Sequence, residues 1–301
     1  MLTSIKTLYL CIGTSETLAP VTVSNLLMMN YQTYQPHPNL TPLIKCYWTL
    51  EVPADFEAPK QRIISDGCLE MAFVLGDDIK RYTSENTYVL QPRAMVIGQI
   101  TEPFFIQPTG YVNTFAVRFY PYGFANFINT PIKELSNTEK PIAHLFDNSA
   151  ARRVEQRIIE AKDTKERIAI IEHFLLDELN RKTTVDKIVQ TTIEALISTS
   201  GSKSINRILK SDDAKRRQLE RKFASQVGLS PKQLAKVIRL QAALKMLLNE
   251  KSEKLSSIAY ESEYYDQAHF IRDFKEFTGT SPAAFLDDKS MVLSSLIYKK
   301  D

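Results

Sequence analysis

At 301 residues the chain has room for two domains of ordinary size. Its formal charge of +3, from 38 Lys+Arg against 35 Asp+Glu, is too small to signal a class of partner by itself. Cys11, Cys46 and Cys68 form an odd set without metal-ligand spacing, which fits a reduced, cytoplasmic setting. No stretch approaches the ~18 apolar residues that a membrane span requires, so no membrane association is expected.

Residues 1–29 are weakly patterned. One early lysine and an apolar run broken between Gly13 and Glu16 fall short of a secretory signal. The tandem Met28 and Met29 read as the real translation start, and residues 1–29 are expected to form a disordered extension. From 30 to about 130 the pattern is that of strands. Residues 44–52, 68–75, 88–100 and 113–119 carry alternating, β-branched or aromatic character, punctuated by Gly67, Gly76, Gly98, Gly110 and Gly123. Short strands between Gly and Pro turns at this density predict an all-β barrel or jelly roll. From about 150 to 181 the period becomes helical, through Val154, Ile158 and Ile159, then Ile168, Ile171, Phe174, Leu175 and Leu179. Those helices are expected to connect two halves or to form a dimer face.

Near the C-terminus one pattern occurs twice, shifted by 51 residues. Leu219-x-Arg221-x-Phe223 followed by Gly228-x-Ser230-Pro231 returns as Phe270-x-Arg272-x-Phe274 followed by Gly279-x-Ser281-Pro282. Each copy reads as an amphipathic helix, a glycine stop and a Ser-Pro start to the next helix. At about 100° per residue, Leu219 and Phe223 share a buried stripe while Arg217 and Arg221 face away from it. Phe270, Phe274 and Phe277 make the second stripe; Arg272 points away, and Gln267 sits in the first turn. Basic residues on one helix ordinarily just solvate its outer face, but their duplication points to nucleic acid. A guanidinium bonds guanine O6 and N7 together, or phosphate oxygens in the same forked geometry. Between the copies, Leu234, Val237, Ile238, Leu244, Leu247 and Leu248 predict one helix over 231–249, a rod of roughly 30 Å. Successive major grooves on one face of DNA recur every ~34 Å, so such a rod can hold two reading heads in adjacent grooves.

The stretches RRQLERKFASQVGLSP, RLQAALKMLL and IAYESEYYDQAHFIRDFKEFTGTSPAAF resemble the DNA-binding domain of AraC/XylS-type transcription regulators. The resemblance implies two helix-turn-helix units over 183–288, with a leading helix at 185–197 and the first helix of the first unit at 203–210. Carried over by position, the groove-facing residues fall on Arg217, Gln218, Glu220 and Arg221, and on Gln267, Ala268, His269 and Arg272. The family's glycine at the tight turn before each recognition helix is replaced here by Asp213 and Glu263. A non-glycine residue in the left-handed region costs on the order of 1 kcal/mol. More loosely, SDGCLEMAF, PRAMVIGQ and FAVRFYPYGF resemble the cupin-like N-terminal domain of some regulators of this family.

Charge follows the same division. Residues 183–301 hold 20 Lys+Arg against 15 Asp+Glu, whereas residues 1–182 hold 18 against 20. A surplus on the binding half favours long-range attraction to DNA. In the β half, a metal-dependent cupin needs histidines on adjacent strands. None of His37, His144, His173 and His269 lies between Cys68 and Phe119, so neither a metal, a cofactor nor a catalytic set is expected. Arg62, Glu70, Arg93 and Arg118 remain as candidates to bind a small anionic or polar effector, or as structural ion pairs. Alkyl-transfer proteins that share this DNA-binding type need a zinc-held cysteine, for which the spacing is absent.

The expectation is therefore an α+β multidomain chain: an extension (1–29), a cupin-like sensing and dimerisation domain (30–148), a helical connector (149–182), a double helix-turn-helix domain (183–288) and a tail (289–301). Its partners would be double-stranded DNA, a small-molecule effector, RNA polymerase and a second copy in a homodimer. The alternatives are a cupin-class enzyme targeted to DNA and an effector-free architectural DNA-binding protein.

Overall fold

The computed structural model describes residues 29–54, 59–179, 186–202, 205–208, 213–249 and 255–300. Among the described residues, ten strands form two antiparallel sheets. The larger has the order β1-β2-β9-β4-β7-β10, from β1 (Asn30–Tyr34), β2 (Ile44–Val52), β9 (Val112–Phe119), β4 (Leu69–Val74), β7 (Ala94–Ile97) and β10 (Glu139–Pro141). The smaller has the order β3-β8-β5-β6, from β3 (Gln61–Ile63), β8 (Phe104–Pro108), β5 (Ile79–Tyr82) and β6 (Tyr88–Leu90).

The central strands of the larger sheet, β2, β9, β4 and β7, are buried on both faces. Tyr47, Met71, Phe73, Phe115, Val117 and Phe119 point to one side, where α1 (Asn148–Glu160) and α2 (Thr164–Leu179) cover them with Val154, Ile158, Ile171 and Leu175. Trp48, Leu50, Ala72, Val74, Met95 and Ala116 point to the other side, into the roll closed by the smaller sheet. A strand buried on both faces has no polar side, so alternation is lost and only a continuous apolar run remains. That is why 44–52 and 113–119 were legible as strands while β1, β3, β5, β8 and β10, being short, were not. The stretch 88–100 divides into β6 and β7, because the chain crosses between sheets at Gln91, Pro92 and Arg93 and a proline cannot donate to a ladder.

The C-terminal helices are α3 (Lys187–Ser198), α4 (Ile205–Ile208), α5 (Asp213–Gln226), α6 (Pro231–Leu248), α7 (Leu255–Glu261), α8 (Gln267–Thr278), α9 (Pro282–Asp287) and α10 (Val292–Lys300). Two small cores are strung along α6. Leu234 and Ala235 join Val189, Ile193, Leu219 and Phe223 in the first; Val237, Leu240, Leu244 and Leu247 join Ile258, Phe270, Phe274 and Phe285 in the second. Each core also takes one buried residue of the roll, Tyr122 in the first and Ile64 in the second.

Three expectations are corrected. Residues 289–301, set apart as a tail, contain a 3-10 turn and α10, whose Leu293 and Leu296 are buried in the roll. Asp213 is not at a left-handed turn. It opens α5, where its charge complements the helix N-terminus. Met29, counted with the extension, is buried against the roll, while residues 1–28 lie outside the described residues. Among the described residues no helix is long and apolar enough to cross a membrane.

Candidate nucleic-acid interface

The first head is α5. Leu219 and Phe223 are fully buried, and Arg217, Gln218, Glu220 and Arg221 are all exposed. Glu220 accepts a 3.4 Å bond from Arg216 one turn away, whereas Arg217, Gln218 and Arg221 hold no partner among the described residues. The rear of α5 is fastened at Asp186, the residue that precedes α3. Its carboxylate accepts Lys222 Nζ at 2.6 Å and Gln226 Nε2 at 2.9 Å. The lysine bond, then the glutamine bond, hold the Asp186 carboxyl below its ordinary range.

The second head is α8. Asp266 caps its start by accepting from His269 N at 2.7 Å, and Gly279, at φ 73°, ends it in the left-handed conformation that glycine adopts without a Cβ penalty. Arg272, Gln267 and Ala268 are exposed. His269 is half-turned to its own helix, with Nε2 3.4 Å from Asp273 Oδ2. Asp273 is buried and lies 3.2 Å from Lys236 Nζ of α6, and Lys236 also reaches Glu276 at 3.0 Å. Linker helix and recognition helix are thus pinned through a buried carboxylate, a role sequence reasoning missed; the i, i+4 spacing of His269 and Asp273 was its only local trace. Glu263 does occupy the tight turn at φ 59°. The next residue, Tyr264, packs on His269 and Phe270, and burial raises its phenol above the ordinary range.

Between the heads lies an open groove lined by Arg216, Glu220, Lys232, Lys236, Arg239, His269 and Arg272. Residues of both heads and of the rod therefore share one cationic concavity. Residues 213–288 match the family model described as a helix-turn-helix domain. Residues 213–288 are an AraC-type helix-turn-helix domain. Residues 32–141 match a domain of unknown function (DUF6597). No curated protein matches the chain. Among solved structures, the chain is similar to ToxT from Vibrio cholerae at 11% identity and a TM-score of 0.45, over 86% of this chain and 98% of that one. A structure of ToxT bound to (E)-4-(8-methylnaphthalen-1-yl)but-3-enoic acid aligns at 12% identity and 0.45, over 85% and 98%. One of unsaturated fatty acid-bound ToxT aligns at 14% and 0.40, over 86% and 94%.

The AraC-type domain is seated on the roll by polar as well as apolar contacts. Gln241 Nε2 donates to Ser65 O at 2.8 Å, Ser136 Oγ to Gly228 O at 3.3 Å, and Arg62 Nη1 to Thr278 O at 2.9 Å. Gly67, at φ 77°, lets α6 approach so closely that a Cβ there would sit 3.1 Å from Leu234.

The four effector candidates separate. Arg62 joins the two halves, lying 3.7 Å from Asp288 as well as bonding Thr278. Arg93 pairs with Asp78 at 2.8 Å on the surface. Arg118 and Glu70 are brought together at 2.7 Å on neighbouring strands, with Trp48 Nε1 donating to the same Glu70 oxygen at 3.0 Å. Burial outweighs the attraction of Arg118 and raises the Glu70 carboxyl above its ordinary range. Only Glu70 of the four lines the cavity inside the roll, a space of about 130 Å³ walled by Trp48, Leu50, Ala72, Met95, Ile106, Leu293 and Ile297 among others. The rest of that wall is largely apolar.

Proposed function

We propose that the protein is a sequence-specific transcription regulator that reads two adjacent major grooves, with the roll as its sensing and dimerisation domain. One observation carries this reading: recognition helices fixed to the same 18-residue rod each present an exposed arginine with no partner among the described residues. Arg217, Gln218, Glu220 and Arg221 would read one groove, and Gln267, Ala268, His269 and Arg272 the other. Glu220, tied to Arg216, and His269, turned to Asp273, would act mainly by shaping their heads. The roll is read as a sensor and not an enzyme. Among the described residues its cavity wall carries neither His nor Cys, and no group of three His, Cys, Asp or Glu could hold a metal. RNA polymerase and a second copy of the chain are the protein partners this reading entails, and the cytoplasm its setting.

The test is selection of bound duplexes from a random pool with the full chain. Arg217→Ala is expected to lose ~1–3 kcal/mol of affinity and to relax preference at one position only. A phosphate contact would instead weaken all duplexes alike and flatten the salt slope by about one unit. If Arg217→Ala and Arg272→Ala both leave affinity and preference unchanged, the reading fails.

A further inference from the structure

The cavity of the roll and the AraC-type domain share a wall. Helix α10 follows the matched helix-turn-helix segment, yet its Leu293 and Ile297 line the cavity. Two residues before Leu293, Met291 is buried in the core of the second helix-turn-helix unit. Strand β3 runs beside this crossing and alternates between the two compartments. Gln61 faces the cavity, donates to Lys289 O at 3.2 Å and accepts from Leu293 N at 3.0 Å. Arg62 turns the other way, to the last turn of α8 at Thr278 O, and its own carbonyl accepts from Ser294 Oγ at 2.6 Å. Ile63 lines the cavity again, and Ile64 enters the second unit's core.

We propose that the cavity takes a compact, uncharged, largely apolar molecule of about one ring, and that α10 is the wall that passes its occupancy to the second helix-turn-helix unit. This deepens the regulator reading and rests on it. Size follows from the volume. About 130 Å³ compares with the cavity of about 150 Å³ that admits benzene in an apolar protein interior. A longer chain exceeds that volume. Charge follows from the lining. Its only charged side chain among the described residues is Glu70, already held by Arg118 and Trp48, so an anionic ligand would meet a carboxylate in a medium that screens poorly. A ligand seated in the cavity packs on Leu293 and Ile297, so α10 leaves its place only when those contacts are given up. Opening breaks the Gln61 and Ser294 bonds, which adjoin the contacts of Arg62 with α8 and Asp288.

The test uses the full chain with toluene as probe. Trp48, the only tryptophan, lines the cavity, so its emission reports binding. Toluene is expected to change that emission saturably, and benzoate to leave it unchanged. With toluene at a hundred times its Kd, amide exchange along Val292–Lys300 should slow by about a hundredfold, because opening then requires release. Amides of Gln267–Thr278 should slow with it. Leu293→Ala, which keeps the main-chain bond to Gln61, should admit n-butylbenzene that the parent rejects; Ile297→Ala tests the same wall one turn on should that variant fold poorly. Unchanged size selectivity in a folded variant, binding without slowed exchange in α10, or equal binding of benzoate would each overturn the proposal. Duplex binding in the same samples separates the two readings: a silent α10 with DNA binding intact defeats the wall and leaves the regulator standing.

Discussion

Glu263 concentrates the strain of the second unit in one residue. It sits at φ 59°, where a Cβ crowds the following carbonyl at a cost of roughly 1–2 kcal/mol. Glycine removes that cost but loses roughly 0.5–1 kcal/mol more in chain entropy on folding. Relief is therefore expected to win by about 0.5–1 kcal/mol in Glu263→Gly, read as a higher denaturant midpoint with an unchanged slope. Glu263→Ala keeps the Cβ and should gain nothing; an equal gain from alanine would show that the glutamate side chain, not the backbone, is at fault. Asp213 poses no such problem, because as the first residue of α5 it has helical geometry and a charge that suits the helix N-terminus.

At the scale of elements, the first head depends on a clamp between α3 and α5. Asp186 holds Lys222 and Gln226, and its folded pKa lies below the ordinary value near 3.8. The sign follows from linkage. A depressed carboxyl pKa contributes stability that is present above the ordinary value and lost as pH falls through the lower, folded one. Asp186→Asn should thus be less stable than the parent at neutral pH, with the gap closing below about pH 4. Denaturation curves across that range check it; a gap that persists in acid would locate the loss in packing. The second head is held differently, by buried Asp273 reaching Lys236 on the rod. The rod itself starts with a complete capping box, Ser230 accepting from Gln233 N and Gln233 reaching back to Ser230 N, which fixes where the linker helix begins.

Over the whole molecule, the two halves are coupled through a seat on the roll and through a helix that crosses back. Cutting the chain between them exposes what α10 buries. A fragment of residues 183–301 carries Leu293 and Leu296 without the roll that covers them, whereas 183–288 ends before them. The shorter fragment is expected to stay monomeric at concentrations where the longer one associates, and both should bind duplex DNA with affinity falling steeply as salt rises. Light scattering of the pair decides. Equal behaviour would show that α10 covers its apolar face without the roll.

Both helix-turn-helix units were legible because their signals are local. The stripes Leu219/Phe223 and Phe270/Phe274/Phe277, the Gly-x-Ser-Pro stops and the outward arginines are periodic within one or two helical turns, and α6 occupies Pro231–Leu248 as its apolar spacing required. Roll strands were legible only where burial on both faces made long apolar runs, as at Ile44–Val52. What tertiary structure decided are the partnerships of distant residues. Arg62 reaches Thr278, Gln61 reaches Leu293, and Ile64 and Tyr122 complete cores whose other members lie more than sixty residues further along. A charge near the start and a leucine near the end carry no periodicity in common. Whether Arg62 meets a ligand or a helix end, and whether 289–300 is a tail or a wall, is set by where the fold places them, because burial and hydrogen bonding act between neighbours in space.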